Sequence, residues 1–163
     1  MAANKSEKMT GGQALVGQII ANGVDTIFGL PGIQLDGMFN ALYDNRNRVR
    51  VINARHEQGV AYMAFGYAIS TGKVGAYAVV PGPGILNTTA ALSTAYGCNQ
   101  PVMAITGQIP SWTIGKEYGM LHEIPDQLGV MERLTKWAAR IDHPSDAPGV
   151  VNEAFRQLTS GRP

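Results

Sequence analysis

Cysteine is almost missing from this 163-residue chain. Cys98 stands alone, so no intramolecular disulfide can hold the fold, and stability has to come from a packed core. Charge is also scarce, at 15% of residues with a formal net charge of +1, which leaves no electrostatic footprint for nucleic acid or an anionic membrane. No apolar run reaches the length of a membrane span, and residues 1–10 lack the apolar centre of a signal peptide. No His, Cys, Asp or Glu spacing resembles a zinc or calcium site. There is no G-x-G-x-x-G or Walker loop, so a nucleotide phosphate site has no support. The expected setting is cytoplasmic, and no metal ligands are assigned.

One absence is local. Residues 74–115 contain no Asp, Glu, Lys or Arg. Gly, Pro, Asn, Gln and Thr punctuate the stretch, so it does not read as a membrane segment. A parallel sheet covered on both faces tolerates few charges. Even so, the stretch exceeds what a monomer core usually needs, and part of it is expected to face another domain or subunit.

What is present is 45% apolar sequence in an alternating pattern. Thr10 and Gln13 have capping-box spacing, and Leu15, Val16, Ile19 and Ile20 fall on one helical face. "VDTIFGL" (24–30) reads as a strand ending in a Gly-Leu-Pro-Gly turn. Leu35, Met38, Phe39 and Leu42 mark a second helix. Residues 50–54 form a strand that leads into "RHEQ" and a helix of about four turns. "GAYAVV" (75–80) is a strand, and Gly82-Pro83-Gly84 turns it into an alanine-rich helix through about Tyr96. "PVMAITG" (101–107) is a fourth strand, followed by a long irregular stretch over 108–126. "WAARI" (137–141) is expected as a fifth strand. Pro148, Val150, Val151, Ala154, Phe155 and Leu158 describe a last helix, stopped by Gly161. The expected fold class is α/β, a three-layer sandwich with a mostly parallel central sheet flanked by helices.

Ligands in open parallel sheets bind beyond the carboxyl ends of the strands. The candidate segments are therefore 29–32, 55–57, 82–87 and 107–123. The Gly-Pro turns are tight strand-to-helix connections, or places where main chain approaches a flat ligand. Glu57 is an ordinary first-turn acid favoured by the helix dipole, or a carboxyl group desolvated among Val60, Ala61 and Ala64. Arg55 and His56 read as structural neighbours. His122 and Glu123 face a cleft or solvent with equal weight, and His143 reads as an exposed loop residue. Cys98 reads as a buried, inert thiol.

Taken in order, "GVDTIFGLPG", "RHEQGVAYMAFGYA", "GPGILN" and "PVMAITGQIP" resemble the N-terminal pyrimidine-binding domain of thiamine-diphosphate enzymes of the acetolactate synthase and pyruvate oxidase group. The resemblance runs from Thr10 to Pro163, with residues 1–9 as a flexible tail. It implies that Glu57 matches the family glutamate that hydrogen-bonds the cofactor aminopyrimidine, promoting the imino form that removes the thiazolium proton. It implies cofactor contacts for Pro31, Gly32, Pro83, Gly84 and Asn87, and places Gln108 in the Gly-Gln motif after the fourth strand. Leu121-His122-Glu123 departs from the Phe-Gln-Glu usual in acetolactate synthases. The Leu-His pair is similar to the pyruvate decarboxylase branch, which makes His122 a candidate proton relay on the substrate side. Pro81 replaces the serine common before Gly-Pro-Gly.

The resemblance further implies a cofactor-activating domain of an enzyme that carboligates or decarboxylates a 2-oxo acid. Thiamine diphosphate would be the cofactor, with Mg²⁺ held by a diphosphate-binding domain that this sequence lacks, since it has no Gly-Asp-Gly motif. The expectation is an N-terminal fragment of a longer chain, its final strand truncated and its isolated activity negligible. FAD in the parent enzyme is left open. The implied partners are the diphosphate-binding domain of a second subunit, in a homodimer or homotetramer. Two alternatives stay open: a stand-alone subunit of a two-chain sulfopyruvate or phosphonopyruvate decarboxylase, and a non-catalytic assembly domain.

Overall fold

Four short strands form one sheet in the computed structural model, which describes residues 8–163. They are β1 (Thr26–Gly29), β2 (Arg50–Asn53), β3 (Gly75–Val79) and β4 (Val102–Thr106). All neighbours pair in parallel, in the order β2-β1-β3-β4. Parallel strands need crossovers, and helices supply them. After α1 (Gly11–Ala21) and β1, α2 (Asp36–Asp44) leads to β2 and α3 (Glu57–Thr71) leads to β3. The short α4 (Pro83–Leu86) and α5 (Thr89–Gly97) lead to β4, followed by α6 (Gln127–Leu134) and α7 (Ala147–Thr159). The expected three-layer α/β architecture is borne out, with a wholly parallel sheet. Of the tail expected at 1–9, all but Lys8 and Met9 lies outside the described residues.

The layers follow from the two-residue period of β3, every residue of which is buried. Ala76 and Ala78 join the core beneath α1, α2 and α7, with Val16, Ile19, Met38, Leu42 and Phe155. Tyr77 and Val79 point to the other face, among Val60, Ala64, Leu92 and Met131 of α3, α5 and α6. The capping box forms as the sequence predicts: Gln13 N–H donates to Thr10 Oγ1 at 3.2 Å, and Thr10 N–H donates to Gln13 Oε1 at 2.9 Å. Among the described residues, no helix is long and apolar enough to cross a membrane.

Three expectations fail in instructive ways. Residues 137–141 form no strand; β4 remains a sheet edge. Lys136 Nζ donates to the carbonyls of Gln157 and Ser160 at 2.5 and 2.6 Å, which fixes the segment to the negative end of α7 instead of the β4 ladder. A cavity of about 510 Å³ lies between β4, this segment and α7. The single helix expected after Gly82 is broken into α4 and α5 at Asn87 and Thr88. Thr88 is fully buried there, its hydroxyl donating to Ile85 O and accepting from Tyr77 Oη. Cys98 is exposed, because it caps the outer end of α5. In addition, α6 forms where no helix was expected, started by Asp126, whose carboxylate accepts from Gly129 N–H at 3.0 Å.

The topology decides where a ligand fits. The chain steps from β1 to β2 on one side, then returns to place β3 on the other side of β1. That reversal is a topological switch point, and it opens a crevice beyond the carboxyl ends of β1 and β3.

Candidate functional site

The crevice is walled by turns with little side chain. Gly32 follows β1 and Gly84 follows β3, and both lie against Val80. A Cβ on Gly32 would fall 2.3 Å from Val80 Cγ1, and one on Gly84 would fall 2.6 Å from Val80 Cγ2. Only glycine permits this approach without moving the core residue between them. Gly82 is constrained twice over: its φ is +59°, and a Cβ there would meet the His122 carbonyl oxygen at 2.3 Å. Pro83 then occupies the first turn of α4, where its missing N–H costs no hydrogen bond. Pro31 and Pro83 are exposed at the rim.

Glu57 enters from the adjacent strand end. It opens α3, and His56 caps that helix, its Nδ1 accepting from Gln58 N–H at 3.2 Å. Arg55 is exposed and takes no part in the three ion pairs among the described residues. The carboxylate of Glu57 is half-buried rather than sealed in the dry site expected for it. Its Oε2 accepts from Asn87 Nδ2 at 3.0 Å. A Cβ on Gly84 would lie 3.8 Å from Oε1, so this oxygen faces a bare stretch of main chain.

His122 is brought to the same end of the sheet by a second set of contacts. Its φ of +68° places its carbonyl over Gly82, and its Nδ1 lies 3.1 Å from Gln34 Oε1. Gln34 Nε2 donates to Leu121 O at 3.2 Å, which fixes the orientation of the amide. With Gln34 Oε1 facing the ring, His122 Nδ1 is the donor, and the neutral imidazole keeps its free lone pair on Nε2. Glu123 serves the loop, its carboxylate accepting from Met120 N–H at 2.8 Å.

Gln127 joins the β3 and β4 turns. Buried at the start of α6, it accepts from Gly82 N–H at 2.8 Å through Oε1 and donates to Gly107 O at 3.1 Å through Nε2. Gln108 is half-buried and folds back on the main chain, its Oε1 accepting from Ile109 N–H at 2.8 Å.

Thus Glu57, Gly84 and Asn87 form one group, and His122, Gln34 and the Gly82 turn form another beside it. Of the residues singled out in the sequence, the structure brings Glu57, Gly32, Gly84, Asn87 and His122 to one end of the sheet, together with Gln34 and Gln127, which were not among them. Gln34 lies two residues beyond the candidate turn 29–32, and Gln127 follows Asp126, whose capping of a helix start is a signal present in the sequence.

A sequence profile of the family described as "Thiamine pyrophosphate enzyme, N-terminal TPP binding domain" matches residues 9–130. An acetolactate synthase from Arthrospira platensis is 38% identical over 96% of this chain and 27% of its own length. The acetolactate synthase large subunit of Lactococcus lactis is 38% identical over 98% of this chain and 27% of its own. The probable 2-ketoarginine decarboxylase AruI of Pseudomonas aeruginosa is 36% identical over 95% of this chain and 27% of its own. The chain therefore spans about a quarter of the length of these curated relatives.

Proposed function

The chain belongs to the thiamine pyrophosphate enzymes as their N-terminal TPP binding domain, and we propose that it holds and activates the aminopyrimidine half of thiamine diphosphate in an enzyme acting on a 2-oxo acid. The observation that carries this reading is the Glu57 carboxylate at the switch point, with one oxygen held and the other open toward Gly84. The residues present fit a flat ring. The glycine turns leave main chain bare, and one unpartnered carboxylate oxygen stands where a ring nitrogen can share a proton with it. When bound there, the cofactor would supply a carbon nucleophile for the carbonyl of a 2-oxo acid.

This chain's own residues bind and move protons. Glu57 Oε1 exchanges a proton with the ring nitrogen, supported by the positive end of α3. The apolar side chains of Val60, Ala61 and Ala64 back the first turns of the helix and keep water from its inner face. With Nδ1 turned to Gln34, His122 offers Nε2 as a proton acceptor on the substrate side. In this reading the diphosphate and Mg²⁺ belong to another domain, supplied by a second subunit, and the domain is part of a longer chain. That arrangement is supported by the length of the relatives and by the open apolar cleft along β4. Thr106 Oγ1, buried at the end of β4, has no hydrogen-bond partner among the described residues. Exposed Ile33, Trp112, Tyr118 and Leu121, from the β1 turn and the loop after β4, support a covering partner.

In the full-length enzyme, Glu57→Gln is expected to lower turnover by at least about 100-fold while thiamine diphosphate still binds. Full turnover in that variant would overturn the reading. His122→Ala is expected to lower kcat on the order of 10- to 100-fold without changing cofactor affinity. An unchanged kcat would remove His122 from the proton path and leave Glu57 standing.

A further inference from the structure

Asn87 makes one side-chain hydrogen bond among the described residues, and it goes to Glu57. Its side chain is exposed, and its backbone is held in place. It closes α4 with its N–H on Pro83 O at 2.9 Å, and the next residue, Thr88, is buried and hydrogen-bonded to Tyr77 and Ile85. The break between α4 and α5 is what turns the amide toward α3 instead of along a continuous helix. A carboxylate oxygen only accepts, so the amide must present Nδ2 to it.

Resting on the reading of Glu57 above, we propose that Asn87 is a positioning residue that works through Glu57 rather than on the ring: it occupies Oε2 and confines the exchangeable proton to Oε1. The reason is directional. An N–H pointing at Oε2 excludes an O–H there, but it is equally compatible with the ionised carboxylate and with a carboxylic acid protonated on Oε1. The proton therefore enters and leaves Glu57 at the oxygen that faces Gly84. The amide also stops rotation of the carboxylate about its last torsion, which is otherwise soft.

The test separates proton transfer from turnover and from binding. In the full-length enzyme with thiamine diphosphate and Mg²⁺, deuterium exchange at the cofactor C2 is followed by quenched-flow NMR, and cofactor affinity by calorimetry. Asn87→Ala is expected to slow exchange on the order of 100-fold at saturating cofactor, with affinity changed less than about threefold. Asn87→Asp is expected to be slower still, and increasingly so as pH rises and a second carboxylate faces the first. Asn87→Ser, which keeps a short donor, guards against loss of fold and is expected to recover part of the rate. Wild-type exchange in Asn87→Ala, with Glu57→Gln inactive in exchange, overturns this proposal and leaves the Glu57 reading intact. Lost affinity with an unchanged saturated rate also overturns it, because Asn87 would then act on the ring. Wild-type exchange in Glu57→Gln overturns the underlying reading itself.

Discussion

Between the Gly82 N–H and the Gly107 carbonyl, the buried Gln127 amide makes hydrogen bonds of 2.8 and 3.1 Å, the first fully and the second partly buried. Leucine has nearly the same volume but satisfies neither group. Gln127→Leu should therefore destabilise the chain by roughly 1–3 kcal/mol, chiefly the cost of the unpaired, buried Gly82 N–H, as measured by urea unfolding. A loss under about 0.5 kcal/mol would show that water reaches both groups. This residue also shows why some of the site was illegible. Gln127 meets Gly82 across 45 positions of sequence, and Gln34 meets His122 across 88. A polar side chain reads as a surface residue until the fold supplies a buried partner. The position of Glu57 is fixed locally, after a strand and at the start of a helix, but only the family resemblance singled it out from an ordinary first-turn acid.

At the scale of elements, helix contacts explain which glycines matter. Gly12 and Gly17 both lie in α1, and their helical surroundings look alike in sequence. A Cβ on Gly12 would meet the Gly37 carbonyl oxygen of α2 at 2.1 Å, whereas one on Gly17 meets nothing within 4 Å. Gly12→Ala is expected to cost about 3 kcal/mol by forcing α1 and α2 apart. Gly17→Ala is expected to add about 1 kcal/mol through helix propensity. Thermal melts of the two variants should move in opposite directions, and a shared direction would contradict the packing described. The α1–α2 approach is invisible in α1 alone, as is the break after α4. The alanine-rich run over 83–96 has helical propensity throughout, yet the buried Tyr77–Thr88–Ile85 hydrogen bonds stabilise a turn there instead. Residues 137–141 have the composition of a strand, but pairing needs an adjacent backbone, and Lys136 fastens them to α7.

The whole molecule has two unlike ends. Bare turns, Glu57 and His122 gather beyond the carboxyl ends of the strands, while the opposite end carries an anchoring cluster. There Asp25 accepts from Lys73 Nζ at 2.5 Å and from Tyr67 Oη at 2.6 Å, joining the entry to β1, α3 and the entry to β3. The Lys73 bond, followed by those from Tyr67 and Thr26, lowers the Asp25 pKa from 3.8 to about 2. A depressed carboxylate binds fewer protons folded than unfolded between these values, so stability rises with pH across that window and is flat above it. The advantage of the native chain over Asp25→Asn should be present above pH 4 and vanish as pH falls through about 2. Both partners are about half exposed, so solvent screening limits the advantage to about 1 kcal/mol at most. Urea midpoints of both chains across that pH range measure it, and a difference that grows as pH falls would contradict the assignment.

Local pattern determined the succession along the chain of the four strands and the helical segments between them, the parallel class and the strand ends where chemistry gathers, because periodicity, caps and Gly-Pro turns act over a few residues. The strand order, the open edge of β4, the exposure of Cys98 and the half-burial of Glu57 were decided only in three dimensions. So were the amides of Gln34, Asn87 and Gln127. Each depends on a surface or a hydrogen-bond partner from a distant part of the chain, and burial and partnership exist only once the layers have closed.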